Sequence, residues 1–190
     1  MSIYGSKNHR TGNLSPEFAL LGFLIAGPGH GYDVHQRFVS ELGQVWHLSQ
    51  SQAYAILKRL EERGDISAQV IEQEKLPARQ RLEITETGRR RFFEWLELGA
   101  GTNARSIRLE FLTRLYFARL HRPDLVAKIY GSQFGEIAAT VARLENLLQG
   151  LSREQVFNRL SLDLRLRQMR LIQSWMAEMR AQFEIPVRRR

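Results

Sequence analysis

The chain has 190 residues, with 28 basic and 20 acidic side chains for a net charge of +8, and is long enough for one or two domains with a real core. It has no cysteine, which excludes disulfides, thiolate metal sites and thiol redox chemistry. The apolar run Phe18–Ala26 is far shorter than the roughly 20 residues that cross a bilayer. The polar start MSIYGSKNHRTGN lacks the apolar core of a signal peptide, so a cytoplasmic protein with no membrane partner is expected. Up to Leu98 the charge is balanced, with 12 basic and 12 acidic residues, and the entire excess lies beyond that point.

Residues 1–14 read as a disordered arm. Ser15 and Pro16 then suggest a helix start, Ser15 as N-cap and Pro16 as first helical residue, running to about Ala26 and stopped by Gly27-Pro28-Gly29. A second helix follows in YDVHQRFVSEL, with Val34, Phe38 and Leu42 on one face and Gly43 at its end. The stretch SQSQAYAILKRLEERG is the most informative. Ser49 and Gln52 fit a capping box, Ala53, Ile56, Leu57 and Leu60 form a buried stripe, and Gly64 suits the position after the helix. Its opposite side is small and polar.

The period then changes from helical to alternating. SAQVIEQ and RQRLEIT read as two strands of a hairpin around the loop EKLPA, and Thr85 caps a helix to about Leu98 with Phe92, Trp95 and Leu96 inside. Gly99–Asn103 is the expected boundary. Beyond it, long helices are predicted over about 104–120, 123–149 and 152–183. Tyr130, Phe134, Ile137, Val141, Leu144 and Leu148 make a heptad seam. The last helix carries two apolar stripes, one with Phe157, Leu160, Leu164, Leu171 and Trp175, the other with Leu162, Leu166, Met169, Ile172, Met176, Met179 and Phe183. A helix that is apolar on two sides needs two partners, so a homodimer is expected through this region, with the seam residues and Trp175, Met176 and Met179 as its candidates. A basic tail closes the chain at 184–190.

The glycines of LIAGPGHGYDVHQRF stand at 27, 29 and 31 after a helix, whereas a dinucleotide fingerprint needs spacing one, three, six after a strand. They turn a corner between two helices. The order helix–turn–helix–turn–helix–hairpin–helix is that of a winged helix-turn-helix. The fold class is therefore mainly α with a small β-hairpin: a winged helix-turn-helix at 15–98 and a long-helix dimerisation domain at 104–183. A capped helix with polar residues at its N-terminal end suits the major groove of double-stranded DNA. Candidate DNA-binding residues are Ser49, Gln50, Ser51, Gln52, Tyr54 and Lys58 on that helix and Lys75, Arg79 and Arg81 on the wing.

In LLGFLIAGPGHGYDVHQRF, VWHLSQSQAYAILKRLEERG and LEITETGRRRF the chain resembles the PadR-type transcriptional regulators over about 15–95. The rest resembles, more loosely, the virulence-activator-like branch with its long C-terminal helices. The resemblance implies a homodimer on an inverted-repeat operator, usually a repressor, and a small hydrophobic or aromatic effector as a further partner. It also implies that Tyr54 is the recognition-helix tyrosine and Trp46 the tryptophan preceding that helix. Asp65 departs from the family, which has an apolar residue there.

Five histidines, His9, His30, His35, His47 and His121, show no metal-ligand spacing, so neither metal nor cofactor is expected. No catalytic set can be assembled, which argues against an enzyme. Trp95, Phe111, Trp175, Met176 and Met179 could line an effector pocket but fit core spacing better. The alternative function is a helical adaptor or small-molecule binder that kept the winged-helix fold, favoured by the neutral charge of residues 1–98.

Overall fold

The computed structural model describes residues 14–73 and 76–182, the side chains of 71–79 and 181 excepted. The head is built from α1 (Glu17–Ile25), a short strand β1 (Gly29–His30), α2 (Gly31–Leu42), α3 (Gln50–Glu62), strands β2 (Ile66–Gln73) and β3 (Leu76–Ile84), and α4 (Glu86–Glu97). After it come α5 (Ala104–Ser106), one π-helical turn (Ile107–Phe111), α6 (Leu112–His121), α7 (Pro123–Gly150) and α8 (Val156–Gln182). This is a winged helix-turn-helix followed by long helices.

Local chemistry accounts for most boundaries. The Thr85 side chain caps α4 by accepting the Gly88 N–H. Gly64, at φ 74°, takes the left-handed conformation that lets the chain leave α3 for β2. At α1 the sequence reading was one residue early. Pro16 occupies the N-cap, and the Ser15 hydroxyl accepts only a long 3.4 Å bond from Glu17 N–H.

The hairpin is also tighter than predicted. β3 begins at Leu76, paired with Gln73, so residues 76–78 of the expected five-residue loop belong to the strand, and positions 74–75 lie outside the described residues. Pro77 made this segment look like loop, yet it stands where β3 has a neighbour on one side only, which a residue without an N–H tolerates. The sheet has a third strand that was not foreseen: β1 pairs with β3, Gly29 opposite Leu82 and His30 opposite Arg81.

An unforeseen ion-pair cluster ties the head together behind α3. Asp65 is buried, and its carboxylate takes the Arg91 guanidinium and, at 3.2 Å, Arg63. Both arginines also reach Glu17, at 3.1 and 2.5 Å. Three helices therefore converge on the residue that broke the apolar pattern.

The helix predicted over 104–120 is interrupted by the π turn, and α6 packs against the head as well as against α7. Phe117 sits against Phe23 at 5.2 Å and Phe92 at 5.6 Å between ring centres. The Trp46 indole N–H donates to the Thr113 hydroxyl at 2.8 Å, which fixes the turn before α3 to α6. Arg114 is buried over the Trp95 ring and donates to the Leu98 carbonyl; burial lowers its pKa to about 10.

His121 stacks on Phe117 and donates its Nε2–H to the Gly22 carbonyl at 2.9 Å. Burial lowers its pKa below the ordinary 6.5, more strongly than the Gly22 bond raises it, with Arg37 and Arg89 acting in the same sense as burial. The unfolded chain therefore takes up this proton first as pH falls, and stability present above pH 6.5 is lost toward the lower folded-state pKa. The melting temperature is expected to drop between about pH 7.5 and about pH 5.5, and to drop less in His121→Gln, which keeps a donor for Gly22.

The expected heptad seam is present, but its partner is the same chain. Tyr130, Ile137, Val141 and Leu144 are buried, with Phe134 and Leu148 half-buried, against Leu166, Met169, Met176 and Met179 of α8. The Tyr130 hydroxyl donates to the Met176 carbonyl at 2.6 Å. The short connection 151–155 forces α7 and α8 antiparallel, so the seam closes on its neighbour and does not present these residues to a second copy. The other stripe of α8 stays open: Phe157 is 85% exposed, Leu160 60%, Leu164 58%, Leu171 71% and Trp175 36%.

Candidate nucleic-acid interface

The site is the outer face of α3. Ala53, Ile56, Leu57 and Leu60 bury one side of the helix, and Ser49, Gln50, Ser51, Gln52, Tyr54 and Lys58 all lie exposed on the other. No other element of the described chain covers them. Ser49 and Gln52 are occupied with each other: the Ser49 hydroxyl accepts the Gln52 N–H at 3.2 Å, and Gln52 Oε1 accepts the Ser49 N–H at 3.0 Å. They set the start of the helix, which leaves Gln50 and Ser51 as its unengaged polar groups at the tip.

Tyr54 is placed by the glycine corner. A Cβ on Gly31 would lie 2.9 Å from Tyr54 Cε1, so only glycine lets the tyrosine ring settle on the start of α2. The ring borders a cleft of about 890 Å³ between α3 and the wing, lined also by His30, Asp33, Lys58 and Gln80. Lys58 has only a loose 3.9 Å pairing with exposed Glu62.

On the wing, Arg81 is exposed and stands opposite His30 and Gln69. Lys75 lies outside the described residues, as does the side chain of Arg79, whose backbone pairs with Ile71 in the sheet. Sequence reasoning missed His30, whose Nδ1–H donates to the Gln80 carbonyl at 2.8 Å and anchors the wing to the corner. The signal was available only as a glycine-flanked pair, too short to read as a strand.

Trp95 and Phe111, considered as pocket residues, are core. His30 and His35 meet separate carbonyls, Gln80 and Leu48, and no three potential metal ligands gather among the described residues. No described helix is long and apolar enough to cross a membrane.

Residues 20–94 match the model described as "Transcriptional regulator PadR-like family", which spans every head element from within α1 to α4. The negative transcriptional regulator PadR of Bacillus subtilis (strain 168) is 26% identical over 135 residues, covering 71% of this chain and 74% of that protein. Among solved structures, Bacillus subtilis PadR in complex with operator DNA aligns with a TM-score of 0.44 at 23% identity, over 87% of this chain and 96% of that one. The Vibrio cholerae virulence activator AphA aligns with a TM-score of 0.40 at 22% identity, over 90% and 98%. These superpositions are loose, and the likeness rests on the sequence match. Over residues 20–94 the chain is similar to the PadR-like family of transcriptional regulators.

Proposed function

We propose that this chain is a PadR-type transcriptional regulator, a cytoplasmic homodimer that inserts two α3 helices into the half-sites of an inverted-repeat operator in double-stranded DNA. The observation that carries the reading is the uncovered polar face of α3, rigidly capped and anchored from behind. On a duplex, Gln50 and Ser51 reach base edges, Gln being suited to adenine, while Lys58 and the wing cations Lys75, Arg79 and Arg81 hold phosphates. Ser49 and Gln52 act by holding the helix tip in place.

The open α8 stripe supports the dimer. Phe157, Leu160, Leu164, Leu171 and Trp175 recur at helical spacing with Gln168 in the gap, one continuous exposed stripe of the kind a helix buries against a second copy. Two-fold symmetry then places the half-sites about 34 Å apart or at a multiple of it. The repressor sense and the response to a small hydrophobic or aromatic effector are carried by the family resemblance.

The test is fluorescence anisotropy with a duplex from the protein's own upstream region and a random duplex as competitor. Gln50→Ala with Ser51→Ala is expected to reduce the preference for the upstream duplex about tenfold or more, since each good base contact discriminates by about 1–3 kcal/mol. Equal affinity for both duplexes in the parent protein overturns the reading and favours the adaptor alternative.

A further inference from the structure

We propose that Arg59, Arg105 and Arg108 form a second phosphate clamp, on the side of α3 away from the wing. The three line one open cleft of about 580 Å³ that runs between the turn before α3, the edge of α3 itself and the segment after the head. Among the described residues no carboxylate lines this cleft, and none of the three guanidinium groups forms an ion pair or hydrogen bond. Three exposed guanidinium groups without counter-charges therefore share one rim.

Their placement follows from local structure. The Asn103 side chain caps the short α5 by accepting the Ser106 N–H and donating to the Ser106 hydroxyl, both at 2.9 Å. Ser106, Ile107 and Leu109 are buried, which turns the adjacent Arg105 and the intervening Arg108 outward. Arg59 projects toward them from α3, on the flank that also carries Gln52 and Ala55. The wing cleft with Tyr54 lies on the opposite flank.

A helix in the major groove has a sugar-phosphate strand on each side. The wing and the start of α2 serve one strand. The arginine cleft lies along the other. This also resolves a difficulty in the charge distribution: residues 1–98 have no net positive charge, and binding a polyanion needs cations. Arg105 and Arg108 supply them from beyond the head. The cleft is too open to enclose a small anion, which a dedicated ligand site would bury over most of its surface.

The inference rests on the reading of α3 as the recognition helix, and the test separates the two. Binding of the full chain to the upstream duplex and to random duplex is measured across a salt series. Each phosphate contact contributes about 0.9 to the slope of log affinity against log salt. Arg105→Ala with Arg108→Ala is expected to reduce that slope by about 1.8 for each bound head, on both duplexes alike. The preference between duplexes and the melting temperature stay at parental values, and Arg105→Lys with Arg108→Lys restores the slope. A double alanine variant with the parental slope overturns the clamp alone. A parent that binds no duplex overturns the clamp and the recognition-helix reading together.

Discussion

Replacing Gly88 with alanine is expected to destabilise the head by about 3 kcal/mol or more, in the upper range for overpacking, although glycine-to-alanine in a helix ordinarily stabilises by about 0.5–1 kcal/mol. A Cβ at this position of α4 would overlap the Asp65 carbonyl oxygen and lie 2.8 Å from the carbonyl carbon. The obstacle is backbone, so no rotamer change relieves it. The same carbonyl accepts the Thr85 N–H at 3.0 Å and the Thr85 hydroxyl at 3.1 Å. Moving α4 away would break its own cap and pull Arg91 from the Asp65 carboxylate. Urea unfolding provides the measurement, with Gly135→Ala as the control, since nothing lies within 4 Å of a Cβ there. The control should unfold at slightly higher urea than the parent and Gly88→Ala at much lower. Equal midpoints would show that α4 can back away without cost.

Introducing aspartate at both Leu164 and Leu171 is expected to leave the chain folded but monomeric, and to weaken operator binding at least a hundredfold. Both side chains are mostly exposed on the single chain, at 58% and 71%, so their loss removes nothing from its core. In a dimer they would sit in the seam, where a charged pair cannot be desolvated. Two heads joined in one molecule gain about 10²–10⁴ in avidity over one head, and separation forfeits that gain. Sedimentation and anisotropy on the same samples would show both effects. A variant that still sediments as a dimer would exclude the outer stripe of α8. Val141→Asp and Leu144→Asp serve as the contrast, because those residues are enclosed between α7 and α8 and their substitution should unfold the hairpin.

That contrast marks the limit of what periodicity can tell. Spacing alone identified Tyr130, Ile137 and Val141 as one apolar stripe, because side-chain direction along a helix is fixed by 3.6 residues per turn. It could not say which helix covers the stripe, a question settled by the length of the connection at 151–155. The α3 face was legible for the same local reasons: a capping box, a buried stripe and a terminal glycine all lie within sixteen residues of sequence. Asp65 was visible as an anomaly but not as a solution, since Glu17, Arg63 and Arg91 meet only after the head has folded. β1 was hidden for a similar reason. Two residues have no periodicity, and only the arrival of β3 makes them a strand. Arg105 and Arg108 carried no sequence signal beyond charge, because the short α5 and the π turn that direct them outward have no compositional mark.

The bond from the Trp46 indole to the Thr113 hydroxyl has a mechanical consequence. Thr113 in turn donates to the Leu109 carbonyl, so a single relay joins the loop before α3 to the π turn and the start of α6. Through it α6 and α3 are coupled like the two arms of one lever. In the proposed dimer, a rotation of α6 would change the pitch at which each head meets its half-site, and would tune the spacing of the pair from a distance.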